Sequence, residues 1–75
     1  MTTATLAARF AAMPVGSEDC DRYAYATGEG SWSVVREAED RYRLSISDTT
    51  HSPAFEASEV FAGPFEVAGA IGMLA

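Results

Sequence analysis

The segment Arg41–Ser47 alternates strictly between polar and apolar residues, and this pattern constrains the fold more than any other feature of the chain. The alternation has the period of a half-buried strand, because successive side chains of a strand point to opposite faces. The inward residues are Tyr42, Leu44 and Ile46, and the outward residues are Arg41, Arg43 and Ser45. The segment therefore needs a layer of other apolar residues on one face and solvent on the other.

Two further strand candidates precede it, Arg22–Thr27 and Ser31–Ala38. They carry aromatic or branched residues at alternate positions: Tyr23 and Tyr25 in the first, Trp32 and Val34 in the second. The links are short, with Gly28–Gly30 as one predicted turn and Glu39-Asp40 as the other. Because strands joined by short links pair antiparallel, the sequence predicts a three-stranded meander.

Helical patterns flank the predicted sheet. Thr3–Met13 has a narrow apolar stripe of Leu6, Phe10 and Met13, with Thr2 or Thr3 as N-cap. Pro64 begins a second predicted helix that runs to about Leu74, with a stripe of Val67, Ile71 and Leu74. Phe61 and Phe65 are assigned to the other side, as an apolar surface covered by residues 53–60 or by a second copy of the chain.

Residues 52–62 leave two alternatives open. Ser52-Pro53 resembles an N-cap followed by the first residue of a helix, which favours a short helix or an irregular segment. The alternation of Phe55, Ala57 and Glu59 would instead suit an edge strand. The fold predicted with the first alternative is one α+β domain over residues 1–75. It has an N-terminal helix, a three-stranded antiparallel meander, and a C-terminal helical segment packed on one sheet face.

The chain is acidic, with eleven Asp and Glu against five Arg, a net charge of −6 and a pI near 4.4. This balance excludes nucleic-acid binding through a basic surface. No Lys or Arg follows Arg43. The tract Ser17–Asp21 is assigned to a solvent-exposed loop. The acids predicted to form a partner-binding surface are Glu18, Asp19, Asp21, Glu29, Glu37, Glu39 and Asp40. Ion pairs on the solvent face of a hairpin are the alternative interpretation of the last three.

No spacing in the sequence is typical of a catalytic, metal or cofactor site. His51 is the one histidine and Cys20 the one cysteine, and neither stands in a pattern of nucleophilic catalysis. The acids around Cys20 lack the spacing of a calcium loop, and no glycine motif matches a phosphate cradle. We therefore expect no enzyme activity, no metal and no cofactor. One cysteine and no recognisable targeting segment favour the reducing cytoplasm.

Taken whole, the chain resembles the small anti-CRISPR proteins carried by bacterial phages and other mobile elements. The resemblance covers all 75 residues, without a shared motif. It is carried by the start Met1-Thr2-Thr3-Ala4-Thr5-Leu6, the acidic tract Glu18-Asp19-Cys20-Asp21, and the aromatic residues Tyr23, Tyr25, Trp32 and Tyr42. It implies a non-enzymatic inhibitor of a type I system, subtype I-C in particular. Such a protein acts in the bacterial host cell, where it binds a crRNA-guided surveillance complex and blocks recruitment of target DNA.

Two partner classes follow from the charge. The first is a Cas protein or surveillance complex with a basic DNA-binding surface, occupied without direct contact to nucleic acid. The alternative is a basic toxin, neutralised by an antitoxin or immunity-type protein through a buried aromatic anchor. A monomer is favoured slightly over a homodimer.

Overall fold

The computed structural model describes residues 2–48 and 55–74. In chain order the elements are α1 (Thr3–Ala11), β1 (Glu18–Tyr25), β2 (Gly28–Ala38), β3 (Arg41–Asp48), β4 (Phe55–Phe61) and α2 (Pro64–Gly72). The four strands form one antiparallel sheet in the order β1-β2-β3-β4, and both helices pack on one face of it. The α+β architecture and its two terminal helices are thereby confirmed. Neither described helix has the length and apolarity that a membrane crossing requires.

The sheet has one strand more than the sequence predicts. Phe55–Phe61 forms β4, which pairs antiparallel with β3 from Asp48–Phe55 to Tyr42–Phe61. The preference for a helix or irregular segment was therefore wrong for these residues, and the edge-strand alternative is confirmed. Pairing satisfies the backbone N–H and C=O groups that β3 would otherwise leave open at its edge. The predicted helix start at Ser52-Pro53 lies outside the described residues.

Two predicted boundaries in the first hairpin were also wrong. β1 begins at Glu18, so the acidic residues 18–21 are strand and not loop. The turn between β1 and β2 falls at Ala26-Thr27, and Gly28–Gly30 belongs to β2. Gly30 lies directly opposite Tyr23, and a Cβ atom there would stand 2.5 Å from the Tyr23 hydroxyl. The glycine is needed inside the strand because the tyrosine ring crosses above it.

The ends of α1 are fixed by side chains. The Oγ1 of Thr2, at the N-cap, accepts a hydrogen bond from the Thr5 amide at 3.2 Å. At the other end, Nη1 of Arg36 donates to the carbonyl oxygens of Ala11 (3.2 Å) and Met13 (2.7 Å). The Arg36 guanidinium thereby satisfies carbonyl oxygens that the C-terminal end of a helix leaves without intrahelical partners. Gly16, at φ 91°, then turns the chain into β1 with a backbone conformation that favours glycine.

The core is one apolar layer between the helices and the sheet. The ring of Phe10 meets Trp32 edge-on, with centroids 5.6 Å apart and planes at 90°. The buried members come from both helices, from the segment just after α1 and from the two central strands: Leu6, Ala7, Phe10, Met13, Trp32, Val34, Tyr42, Leu44, Val67, Ala68 and Ile71. Ile46 and Leu74 are partly buried against this layer. The apolar stripes predicted for the helices and for β3 are thus confirmed as inward faces.

The two phenylalanines predicted to share an apolar surface are separated. Phe61 is opposite Tyr42 on the helix side of β4 and packs against the core. Phe65, in the first turn of α2, is 64% exposed. The strand β4 lies in the sheet and not over Phe65. Of the predicted pair, only Phe65 is therefore an exposed large apolar residue.

Ile71→Ala tests the placement of α2. Removing this buried side chain leaves a cavity against the sheet, so we expect the free energy of unfolding to fall by about 2–4 kcal/mol. Met73→Ala is the matched control, since Met73 is 87% exposed and its truncation should change stability by less than about 0.5 kcal/mol. Urea unfolding followed by far-UV circular dichroism measures both. Equal effects from the two variants would contradict the placement.

Candidate partner-binding surfaces

The acids predicted as one binding surface are divided by the sheet. Along β1, Asp19 and Asp21 point to the helix side, opposite Val34 and Trp32, and Glu18 points to the uncovered side, opposite Val35. Glu29 and Glu37 also lie on the uncovered side, whereas Glu39 and Asp40 form the turn between β2 and β3. The seven residues therefore do not form a continuous patch.

Arg9 holds the acids of β1 that face the helices. Its Nη2 lies 2.6 Å from Oδ1 of Asp19 and its Nε 3.1 Å from Oδ2, a bidentate pair. A second carboxylate, that of Asp21, is 4.0 Å from Nη1. The guanidinium also lies 5.9 Å from the centre of the Trp32 ring. Asp19 is therefore part of the attachment of α1 to the edge strand.

Arg41 and Arg43 share Glu37 on the uncovered side of the sheet. Their Nε atoms lie 3.0 Å and 3.1 Å from the two carboxylate oxygens of Glu37. The hydrogen bonds from Arg43 and then Arg41 lower the pKa of Glu37. A carboxyl with a lowered pKa stabilises the fold at neutral pH, and that contribution is lost as the pH falls through the folded-state pKa.

Arg36 is also engaged within the fold. Besides capping α1, it donates from Nη2 to the carbonyl oxygen (2.9 Å) and the carboxylate (3.2 Å) of Glu39, and its guanidinium lies 5.1 Å from the centre of the Tyr42 ring. Four of the five arginines thus form ion pairs inside the chain. Arg22 forms none within the described part of the chain.

The C-terminal acids have no arginine to neutralise them. Among the described residues, Glu56, Glu59 and Glu66 form no ion pair. Glu59 is on the helix side of β4, and the Glu66 carboxylate lies against Gly63 at the start of α2. Exposed apolar side chains stand in the same helix, Phe65 in its first turn and Met73 at its C-cap.

We call Glu59, Phe65, Glu66 and Met73 the β4–α2 surface. It combines negative charge with a large exposed aromatic ring. No other part of the described chain has this combination. The predicted site included only Phe65 of these four residues. The signal that could have identified it is the absence of Lys and Arg after Arg43.

The second surface is the side of the sheet that no helix covers in residues 2–48 and 55–74, which we call the open face. Its middle row has one short side chain from each strand, in register: Cys20, Ser33, Ser45 and Ser58. The flanking rows are Glu18–Val35–Arg43–Val60 and Arg22–Ser31–Ser47–Glu56. A shallow open cavity of about 890 Å³ lies over the short residues. Cys20 is an exposed free thiol there.

A tyrosine pair of β1 and a buried carboxylate of β3 link these two strands across β2 on the helix side. Asp48, only 2% exposed, accepts hydrogen bonds from the hydroxyls of Tyr25 (2.6 Å) and Tyr23 (3.3 Å). The two rings stack with centroids 6.2 Å apart. Burial, and then the charge and hydrogen bond of Asp48, raise the pKa of Tyr23. Because the carboxylate is enclosed, this cluster is a structural link and not an accessible reactive group.

The structure bears on one part of the prediction that the chain has no reactive site, namely the metal ligands among the described residues. No group of three His, Cys, Asp or Glu side chains is placed to hold a metal ion in residues 2–48 and 55–74. His51 lies outside the described residues. Whether the protein has enzyme activity thus stays a prediction from its sequence.

Asp19→Asn tests the link between α1 and β1. An exposed acid could be neutralised without cost, but Asp19 forms a partly buried bidentate pair, so we expect a loss of about 1 kcal/mol in the free energy of unfolding. Glu18→Gln, the adjacent acid on the open face, is the control and should leave stability within about 0.5 kcal/mol. Urea titration of both variants checks this. Identical midpoints would show that the pair contributes nothing measurable.

The tyrosine cluster predicts a loss of stability at high pH. Tyr23 has a pKa above its ordinary 10.0, so the folded state retains a proton that the unfolded chain releases. This contribution is complete below pH 10 and is lost as the pH rises through the folded-state pKa. Unfolding midpoints measured across this range should fall more steeply for the wild type than for Tyr23→Phe. Parallel curves would contradict the prediction.

The chain was compared with protein families, with curated proteins and with solved structures. No family model, curated protein or solved structure matches it. The proposal below therefore rests on the charges, contacts and exposed side chains of the chain, together with the resemblance noted in its sequence.

Proposed function

We propose that the protein is a non-enzymatic inhibitor that binds a basic surface of a crRNA-guided surveillance complex and thereby blocks recruitment of target DNA. The observation that carries the proposal is the β4–α2 surface, where Glu59 and Glu66 have no arginine partner and Phe65, next to Glu66 in the chain, is exposed. The class of partner comes from the resemblance to anti-CRISPR proteins.

Charge supports a basic partner over an acidic or neutral one. A net charge of −6 on 75 residues attracts surfaces rich in Arg and Lys, and DNA channels of surveillance complexes have that character. Internal pairing withdraws Asp19, Glu37 and Glu39 from this attraction. The β4–α2 surface keeps its negative charge available to a partner and is therefore favoured as the point of contact.

The exposed phenylalanine supports a protein partner. A ring that is 64% exposed supplies a large apolar area, and aromatic residues surrounded by polar groups are typical anchors of protein interfaces. In this proposal the acids accelerate and orient the encounter, whereas Phe65 inserts into an apolar pocket and slows dissociation.

The same two features fit the alternative function, an antitoxin or immunity-type protein. Phe65 supplies the aromatic anchor expected of a tight heterodimer, and a basic toxin has the complementary charge. The two functions differ in partner and not in surface. Binding to a surveillance complex, with loss of its target-DNA binding, therefore distinguishes them.

The β4–α2 surface is tested by Glu59→Gln/Glu66→Gln and by Phe65→Ser. Mixing each variant with a purified type I surveillance complex and labelled target DNA on native gels measures complex formation and DNA exclusion. We expect the double variant to reduce the association rate by about tenfold at low salt. The association rate should also depend less on the salt concentration. Phe65→Ser should raise the dissociation rate by at least about tenfold, a cost of roughly 1.4 kcal/mol or more.

The matched control is Glu18→Gln/Asp40→Asn, which removes the same two charges from exposed positions outside this surface. It should retain the wild-type association rate within about twofold, because charges farther from the contact attract the partner more weakly and are screened more by salt. An equal loss of association rate in both double variants would reject the β4–α2 surface as the contact. The net charge alone would then explain the attraction. No binding of the wild-type chain and no effect on DNA would reject the proposed function.

A further inference from the structure

The open face has a pattern of charge and side-chain size that matches a copy of itself. Its middle row is uniformly short, one flanking row has Val35 and Arg43 at its centre, and the other has Ser31 and Ser47 there. Two such faces can approach closely only if the large centre of one row meets the small centre of the other. From this pattern we infer that the open face is a self-association surface, on which two copies pack sheet to sheet.

The register defines the arrangement. A two-fold axis that lies between the faces, above the middle row and perpendicular to the strands, places each strand over its own copy. The outer rows then exchange, so Val35 lies over the partner's Ser31 and Arg43 over the partner's Ser47. Stacked sheets keep their strand directions within about 30° of each other, which this arrangement satisfies. The contact is isologous and closes at two copies.

The two charges that β1 contributes to the outer rows favour the same arrangement. Glu18 and Arg22 occupy the two outer rows of β1, so exchanging the rows places each Glu18 over the partner's Arg22, twice in the dimer. Both side chains are exposed and neither forms an ion pair in the described chain.

The whole open face is also close to neutral. It has four acids and three arginines: Glu18, Glu29, Glu37 and Glu56, with Arg22, Arg41 and Arg43. Most of the net charge of −6 thus lies on the helix side and in the turns. Two copies repel each other least when they meet through their open faces.

The area of the open face determines how strongly two copies associate. Four strands about 4.8 Å apart and three rows about 6.8 Å apart give roughly 400 Å² per copy. That is about half of what a standard stable interface buries on each partner, so the dimer is weak and forms at high concentration. Dimerisation through the open face leaves the β4–α2 surface accessible to another partner. The inferred self-association does not depend on the proposed function.

Sedimentation of charge variants tests the dimer. We expect the wild-type chain to dimerise with a dissociation constant below about 1 mM. Glu18→Arg, which sets two arginines against each other, should weaken association at least about tenfold. The swap Glu18→Arg/Arg22→Glu keeps the net charge and restores the pair, so its dissociation constant should lie within about threefold of the wild type.

Glu59→Arg is the matched control, because it makes the same change in net charge on the helix side of β4. It should dimerise at least as well as the wild type. Circular dichroism establishes that each variant is folded before its association is compared. A wild-type chain that stays monomeric to about 1 mM, or equal behaviour of Glu18→Arg and Glu59→Arg, would overturn the inference.

Cys20 reports the register without any substitution. It is the one cysteine of the chain and lies in the middle row, so the two-fold axis places it near the partner's Cys20. A short bismaleimide should link wild-type and swap dimers covalently and leave Glu18→Arg unlinked. A wild-type dimer without this cross-link would overturn the proposed arrangement.

Discussion

The packing of two helices from opposite ends of the chain over one sheet is the constraint on which the rest of the structure depends. α1 lies over β1 and β2, where Phe10 meets Trp32 and Arg9 meets Asp19, and α2 packs on β3 and β4. A domain of this size has little core to spare, so both helices are required on the same face. The opposite face is left to solvent or to another molecule, and that division creates both candidate surfaces.

The charge distribution follows from the position of each acid in this layered arrangement. Acids on both edge strands discourage edge-to-edge pairing with other chains. On β1 an arginine from the covering helix neutralises Asp19. On β4 the covering helix is α2, which contains no basic residue, so no arginine of that helix pairs with Glu59. The two edge strands therefore differ in unpaired charge because a different helix lies above each of them.

The sequence predicted the elements whose pattern agrees with their environment. Tyr42, Leu44 and Ile46 alternate on a strand with one buried face, and Leu6 and Phe10 repeat at helical spacing on a helix with one buried face. Local patterns suffice for such elements because burial follows the same period as the residues.

The errors arose where a distant contact determines the local structure. Glu18–Asp21 has the composition of a loop, and it is a strand because Arg9 and β2 provide its partners. Gly30 has the composition of a turn, and it lies within β2 because Tyr23 crosses over it. β4 was missed because its alternation competes with a helix-start signal at Ser52-Pro53. The division of the acids between two faces could not be predicted without the position of β1.

The contact between α1 and α2 has a consequence for synthesis of the protein. Thr3 and Gly72 lie at opposite ends of the chain, yet an added Cβ at Gly72 would be 3.5 Å from the Thr3 hydroxyl. The meander can pair strand by strand as it leaves the ribosome, since its neighbours in space are neighbours in sequence. The helix layer cannot close until α2 has been translated and has left the ribosome tunnel. Until then α1 covers only half of an apolar sheet, and the nascent chain presents the other half to chaperones or to aggregation.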